Sequence, residues 1–185
     1  MILVERLVEH RFFDVTEDLT VLVFFAPPEG SQRTENSGNT CAETATGRLL
    51  IRPYAEPDES QVIQLWREVF PDNPSWNVPK ADINRKLTVQ RELFLVGVLG
   101  SEIVATVMAG FDGHRGWVHL VAVAPKHRRQ GFGQAIMAEA EKRLRDIGCT
   151  KINLQVRATN EGVISFYQKL GYAVEERVSM GKRLA

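Results

Sequence analysis

A basic turn containing two glycines, set between an apolar strand and a helix, constrains this chain more than any other sequence feature. The segment from His119 to Gln134 reads HLVAVAPKHRRQGFGQ. A strand is predicted to stop at Pro125, and a helix is predicted to follow from about Gly133. The first turn of a helix leaves backbone N–H groups unpaired and carries partial positive charge, so the segment predicts a phosphate site. A purely structural turn with solvated arginines is the alternative.

Two familiar phosphate motifs do not fit this turn. A P-loop requires Gly-Lys-Ser/Thr, whereas Gly133 is followed by Gln134 and Ala135. A Rossmann turn requires G-x-G-x-x-G, whereas only Gly131 and Gly133 occur here. The sequence therefore predicts a phosphate-bearing ligand of another kind.

The positive charge of the turn is local. Lys and Arg number 23, and Asp and Glu also number 23, so the formal net charge is +0. This balance predicts no general attraction to nucleic acid or to an anionic membrane. Lys126, Arg128 and Arg129 nevertheless bring cations to the loop, which suits a local anion. Nucleic-acid binding by this cluster is disfavoured because it is short and lacks an aromatic platform.

A polar run divides the chain of 185 residues. Residues 30–47 contain no large apolar side chain, which is typical of a flexible linker. Residues 1–29 hold two β-rich runs, and this short N-terminal β-rich extension is too small for a core of its own. We expect the extension to dock on the main domain, to pair with another chain in a homodimer, or to stay loosely ordered. Residues 48–185 form the main domain.

The composition predicts a cytoplasmic protein. The longest apolar stretch is far below the ~20 residues that span a bilayer, and charged residues interrupt any would-be signal peptide. The two cysteines, Cys41 and Cys149, lie in unlike surroundings, which fits a reducing compartment and excludes a cysteine-based metal site. We therefore expect no membrane contact and no metal.

The main domain follows the order β-α-α-β-β-β-α-β-α-β, which predicts an α/β fold with a mixed sheet and helices on its faces. The predicted strands are Leu49–Tyr54, Leu93–Leu99, Ile103–Phe111, Trp117–Val123, Lys151–Val156 and Tyr172–Leu184. The predicted helices are Pro57–Val69, Pro79–Gln90, Gly133–Ile147 and Asn160–Leu170.

Two signatures in order carry a resemblance to a known family. The turn RRQGFG is followed by RATNEGVISFYQKLGY at residues 157–172. From Arg48 onward the chain resembles the GCN5-related N-acetyltransferases, the GNAT superfamily, and DGHRG at 112–116 with GKRL at 181–184 is similar to YpeA-like acetyltransferases. The resemblance implies the GNAT fold, with a mostly antiparallel central sheet flanked by helices. It also implies an N-acetyltransferase that moves an acetyl group from acetyl-CoA to an amine acceptor by direct attack in a ternary complex.

The resemblance also implies a set of cofactor-binding residues. The turn matches the family's pyrophosphate loop, and the backbone of Val121 and Val123 matches the strand that pairs with the pantetheine arm. Asn160 resembles a pantetheine contact, although it would serve equally as a helix N-cap. The implied turn residues are Arg128, Arg129, Gln130, Gly131, Phe132, Gly133 and Gln134.

Tyr167 is the candidate general acid. It lies seven residues, about two helical turns, after Asn160, so both side chains project from one side of the helix. A phenol with a pKa near 10 can protonate a departing thiolate, and the family places its acid at this position. A core aromatic residue beside Phe166 is the alternative.

The general base is less evident. Members that acetylate ribosomal proteins carry a Glu at a position that matches Gln155, which cannot accept a proton, so that activity is disfavoured. Histone-type members carry a Glu where this chain has Trp117. His119 lies two residues further on and therefore faces the same side of the strand. Its ordinary pKa of about 6.5 suits a base at neutral pH, and a solvated strand histidine is the alternative.

The resemblance also implies a pocket for the amine acceptor. We expect Trp66 and Trp76 to wall its pocket and amides at a strand bulge near Val121 to polarise the thioester. His114 and His127 are expected to be solvated. Asp72, Asp82 and Glu92 are candidates for attracting a cationic amine. An acyl-CoA-binding or regulatory module with little turnover is the alternative function, because no carboxylate base is evident.

Overall fold

The computed structural model describes residues 48–74 and 76–182. The predictions for the extension 1–29 and the linker 30–47 lie outside the described residues. The elements of the described part, in chain order, are β1 (Leu50–Pro53), α1 (Glu59–Val69), α2 (Pro79–Leu87), β2 (Phe94–Leu99), β3 (Glu102–Phe111), β4 (Gly116–Val123), α3 (Phe132–Asp146), β5 (Ile152–Leu154) and α4 (Glu161–Lys169).

The strands form one mixed sheet in the order β1-β2-β3-β4-β5. The first four strands pair antiparallel, and β4 pairs parallel with β5. The prediction of a mixed, mostly antiparallel sheet is confirmed. Helices α1 and α2 lie between β1 and β2, whereas β2, β3 and β4 follow one another through short turns. Helix α3 provides the crossover that the parallel pair of β4 and β5 needs.

Helices cover both faces of the sheet. Ile136, Met137, Ala140 and Leu144 recur at helical spacing on α3 and are buried in one core. Val62 and Leu65 of α1 lie in a second core, together with Ile83 of α2. Because β3 lies between the two cores, its residues from Ile103 to Val107 are buried without alternation.

The predicted final strand, Tyr172–Leu184, is wrong as far as the structure describes it. Residues 172–182 form no strand, and the exposed fractions of Val174, Val178 and Met180 are 71%, 88% and 91%. A strand needs backbone partners along its length, but β5 has only 3 residues. Within the described residues, the contact of this segment with the region of β5 is made by side chains, such as the bond of 2.5 Å from Gln155 Nε2, just after β5, to Ser179 Oγ.

Because β5 is short, a gap separates it from the C-terminal half of β4. Its ladder with β4 covers Gly116, Trp117 and Val118 and ends at the pair Val118–Leu154. The remaining residues of β4, as far as Val123, therefore have no partner on the β5 side within the described residues. No helix in 48–74 or 76–182 is long and apolar enough to cross a membrane.

Candidate active site

The opening between β4 and β5 forms the floor of a cleft of about 1500 Å³. Pockets for one small ligand usually measure roughly 300–1,000 Å³, so the cleft has room for two molecules side by side. Predicted site residues from three different parts of the chain line it. These are His119, Val121, Val123, Arg128, Arg129, Gly131, Gly133, Gln134, Asn160 and Tyr167.

A β-bulge shapes the middle of β4. Met108 pairs with His119 and Thr106 pairs with Ala122, so Leu120 and Val121 both lie opposite a single residue of β3. Leu120 has φ +49, in the left-handed region. The expected bulge near Val121 is therefore confirmed.

The backbone of Val121 and Val123 faces the opening. The N–H of Ala124 donates to the carbonyl oxygen of Val104 on β3 at 2.8 Å. N–H groups alternate from side to side along a strand, so those of Val123 and Val121 point away from β3. Polar backbone groups thus line the floor of the cleft.

The basic turn leads directly into α3. Arg129 has φ +62 and Gly131 has φ +84, and such left-handed residues are typical of loops whose N–H groups converge on an anion. The first helical hydrogen bond joins Ala135 N–H to Gly131 O at 2.9 Å. The amides of the three preceding residues, 132–134, have no carbonyl partner in the described structure, and they carry the positive end of the helix dipole.

The side chains of the turn differ in the contacts that they make. Lys126 Nζ lies 2.7 Å from Glu102 Oε1, so its charge is already paired. Gln130 Nε2 donates to Lys126 O at 3.3 Å and braces the loop. Arg128 and Arg129 are exposed at the cleft, and neither forms an ion pair with a described residue. Arg128 Nε does donate to Val123 O, at 3.4 Å. These two guanidinium groups are therefore available to an anion.

Gly133 has a second role that the sequence interpretation missed. A Cβ at this position would lie 3.2 Å from Phe166 Cζ and 3.6 Å from Val123 Cγ2. The glycine therefore allows the first turn of α3 to pack closely on α4 and β4.

Asn160 caps α4. Its Oδ1 accepts a hydrogen bond from Val163 N–H at 3.3 Å, and the residue also lines the cleft. The capping interpretation is confirmed, and the contact with a ligand stays a prediction.

Tyr167 is both a core residue and a cleft residue. Its exposed fraction is 8%, and its ring makes edge contacts with Phe166 at 5.1 Å and Tyr172 at 5.6 Å. Burial raises the pKa of Tyr167 to about 12, so the phenol is protonated at neutral pH. No hydrogen bond to another described residue holds its hydroxyl, which is therefore free to donate into the cleft.

His119 lies on the cleft floor, stacked against Trp117 with the ring centroids 6.3 Å apart. Its side chain is open to the cleft, but enclosure by the walls lowers its pKa, and the positive charge of Lys86 lowers it further. Both effects favour the neutral imidazole, which can accept a proton. The residue is exposed, so the role of His119 as the base stays a prediction, with a solvated strand histidine as its alternative.

Lys86 is a cleft residue that the sequence interpretation missed. Its Nζ donates to Ala109 O at 2.6 Å, and burial lowers its pKa. The signal was its position three residues after Ile83, which places both on the buried face of α2.

Several expectations for the acceptor side require correction. Trp66 does not wall the cleft: its exposed fraction is 3%, and it packs on Phe94 in the core. His127 is not solvated, because its Nε2 is buried 3.7 Å from a carboxylate oxygen of Glu102. Glu92 is absent from the residues that line the cleft.

Two of the proposed acidic residues do reach the cleft. Asp82 is ion-paired with Arg85, whereas Asp72 accepts a hydrogen bond only through its backbone oxygen, from Arg157 Nη2 at 3.2 Å. Among these two acidic residues, Asp72 is therefore the one whose carboxylate has no ion-pair partner in the described structure. No group of three or more His, Cys, Asp or Glu side chains in the described residues is arranged to hold a metal ion.

Sequence comparison finds a matching family and close relatives in sequence. The model of the acetyltransferase (GNAT) family matches residues 59–172. An "Acetyltransferase" of Yersinia pestis (strain Pestoides F) is 42% identical over 136 residues, covering 74% of this chain and 96% of that protein.

Two solved structures share the fold. AAC(6')-Iy in complex with a bisubstrate analogue has a TM-score of 0.64 at 15% identity and covers 75% of this chain and 100% of its own. The PaiA N-acetyltransferase from Thermoplasma acidophilum, in complex with coenzyme A, has a TM-score of 0.57 at 20% identity and covers 71% and 93%. The family model and the relative from Yersinia pestis show that the protein is an acyltransferase. The chain belongs to the GNAT acetyltransferase family.

Proposed function

We propose that the protein transfers the acetyl group of acetyl-CoA to an amine acceptor, both substrates being bound together in the cleft. One observation carries the proposal. The unpaired backbone of β4 leads along the cleft to the free amides at the start of α3, which matches an extended polar arm that ends in a pyrophosphate. The coenzyme A and bisubstrate complexes of the two structural neighbours support the same cosubstrate.

The residues of the cleft fit this cosubstrate. Amides 132–134 and the guanidinium groups of Arg128 and Arg129 would hold the pyrophosphate, and the backbone of Val121 and Val123 would hold the pantetheine arm. All of these binding groups belong to the cleft. The acceptor would enter from the side of Asp72 and Arg157.

The proposed chemistry moves two protons. The neutral amine attacks the thioester carbonyl carbon, a C–N bond forms, and the C–S bond breaks. His119 takes the proton that the amine nitrogen loses, directly or through a water, because its lowered pKa keeps it neutral. Tyr167 gives its phenolic proton to the departing thiolate. Its raised pKa keeps the phenol protonated at neutral pH, so the proton is available for this step. Amides at the bulge near Val121 polarise the carbonyl.

Calorimetric titration with acetyl-CoA, CoA and ATP, followed by thiol release with a panel of amines, tests the proposal. We expect acetyl-CoA and CoA to bind, and Gly131→Glu to abolish binding by placing a carboxylate at the anion site. Gly113→Glu is the matched control, because Gly113 also has positive φ and open surroundings but lies outside the cleft. If the wild-type protein binds neither thioester nor thiol, the cosubstrate is wrong. Binding without thiol release from any amine would instead indicate a regulatory acyl-CoA-binding module.

A further inference from the structure

A buried chain of hydrogen bonds runs from α1 through β3 to the bulge of β4. Trp66 Nε1 donates to Thr106 Oγ1 at 2.8 Å, and Thr106 Oγ1 donates to Leu120 O at 3.0 Å. The exposed fractions of Trp66 and Thr106 are 3% and 0%. This chain, Trp66–Thr106–Leu120, is a polar path inside an otherwise apolar core.

The direction of the chain is determined by its members. An indole N–H only donates, and a carbonyl oxygen only accepts. The hydroxyl of Thr106 must therefore accept from Trp66 and donate to Leu120. Leaving a buried hydroxyl or indole N–H without a partner costs free energy of folding. The two hydrogen bonds therefore hold the indole, the hydroxyl and the carbonyl of Leu120 in fixed positions.

The same chain determines where the N–H of Val121 points. The carbonyl of Leu120 and the N–H of Val121 belong to one planar peptide unit, and in a trans unit they point in opposite directions. No described peptide bond is cis. Because Thr106 on β3 holds the carbonyl, the N–H of Val121 is directed away from β3, toward the opening between β4 and β5.

We propose that Trp66 and Thr106 are positioning residues, which aim and polarise the Val121 N–H at the carbonyl oxygen of the acetyl thioester. The inference rests on the proposed function. Hydrogen bonds in a chain polarise one another, so the indole and the hydroxyl strengthen the last donor as well as orienting it. A donor that is already oriented needs no rearrangement when negative charge develops on the oxygen.

The test compares two substitutions at one position. Thr106→Val keeps the shape of the side chain and removes the hydroxyl, whereas Thr106→Ser keeps the hydroxyl. Loss of an oxyanion-hole donor costs ~10²–10³ in kcat, so a misdirected donor should cost about tenfold or more. We expect this loss in Thr106→Val, with the Kd for CoA within about twofold of wild type, and we expect Thr106→Ser to keep most of the wild-type kcat.

A spectroscopic readout separates positioning from stability. Acetyl-CoA labelled with ¹³C at the thioester carbonyl should show a lowered C=O stretching frequency when bound to wild type and to Thr106→Ser. This shift should be absent in Thr106→Val. Val62→Ala, which removes buried volume from the same helix and core without touching the chain, should lose stability and keep both the shift and kcat.

The outcomes distinguish this inference from the proposed function. A carbonyl shift that depends on Thr106, in a protein that acetylates no amine, supports the positioning and refutes the enzymatic proposal. If Thr106→Val and wild type release thiol with the same kcat and show the same C=O frequency shift, the positioning role of Trp66 and Thr106 is wrong. The enzymatic proposal is unaffected by that result. A wild-type protein that does not bind acetyl-CoA overturns both.

Discussion

Tyr167→Phe is the substitution that most directly tests the proposed proton donor. It removes a single oxygen from a ring that stays in edge contact with Phe166 and Tyr172. The hydroxyl bonds to no described residue, so we expect the free energy of unfolding to change by less than about 1 kcal/mol. The proton for the thiolate is lost, and general acid catalysis typically contributes ~10²–10⁴ in rate, or about 3–5 kcal/mol of the barrier.

The assay is steady-state thiol release with saturating acetyl-CoA, beside a thermal melt of each variant. Tyr54→Phe is the matched control, because Tyr54 is also buried, stacks on Phe94 at 4.7 Å and has a pKa raised to about 12, but does not line the cleft. We expect Tyr54→Phe to keep its kcat. Because burial raises the pKa of Tyr167 to about 12, ionisation of this phenol should cause no loss of the wild-type rate at any pH up to about 10. A kcat for Tyr167→Phe within about threefold of wild type, far short of the expected loss, would show that another group protonates the thiolate.

Two further predictions concern the base and the helix junction. His119 must be neutral to accept a proton, so kcat/KM should rise with pH through a pKa below the ordinary value and then level off; His119→Ala should remove this rise, and an unchanged pH profile would exclude His119 as the base. Gly133→Ala brings a methyl group within 3.2 Å of Phe166 and should destabilise the fold by about 1–3 kcal/mol, measured by urea unfolding. Adding Phe166→Leu should recover part of that loss, and a melting curve identical to wild type would show that the packing relaxes freely.

Features that depend on neighbouring residues were evident from the sequence. The strand, basic turn and helix around Gly131 follow from apolar periodicity and from turn chemistry, both of which act over a few residues. The same is true of the Asn160 cap and of the spacing between Asn160 and Tyr167. The family signatures lie in these local segments, which is why a single chain was enough to assign the fold.

The tertiary structure alone decided how distant segments meet. Trp66 and Thr106 are separated by 40 positions, and no local pattern distinguishes a tryptophan that walls a pocket from one that donates to a buried threonine. The prediction of a final strand was wrong over residues 172–182 for the same reason: it came from the local sequence, whereas the length of its partner β5 is not a local property. The sequence determined which elements form, because their hydrogen bonds and turns are local. Packing decided the opening between β4 and β5, the meeting of His119 and Lys86 in one cleft and the direction of the Val121 N–H, because each depends on contacts between residues far apart in the chain.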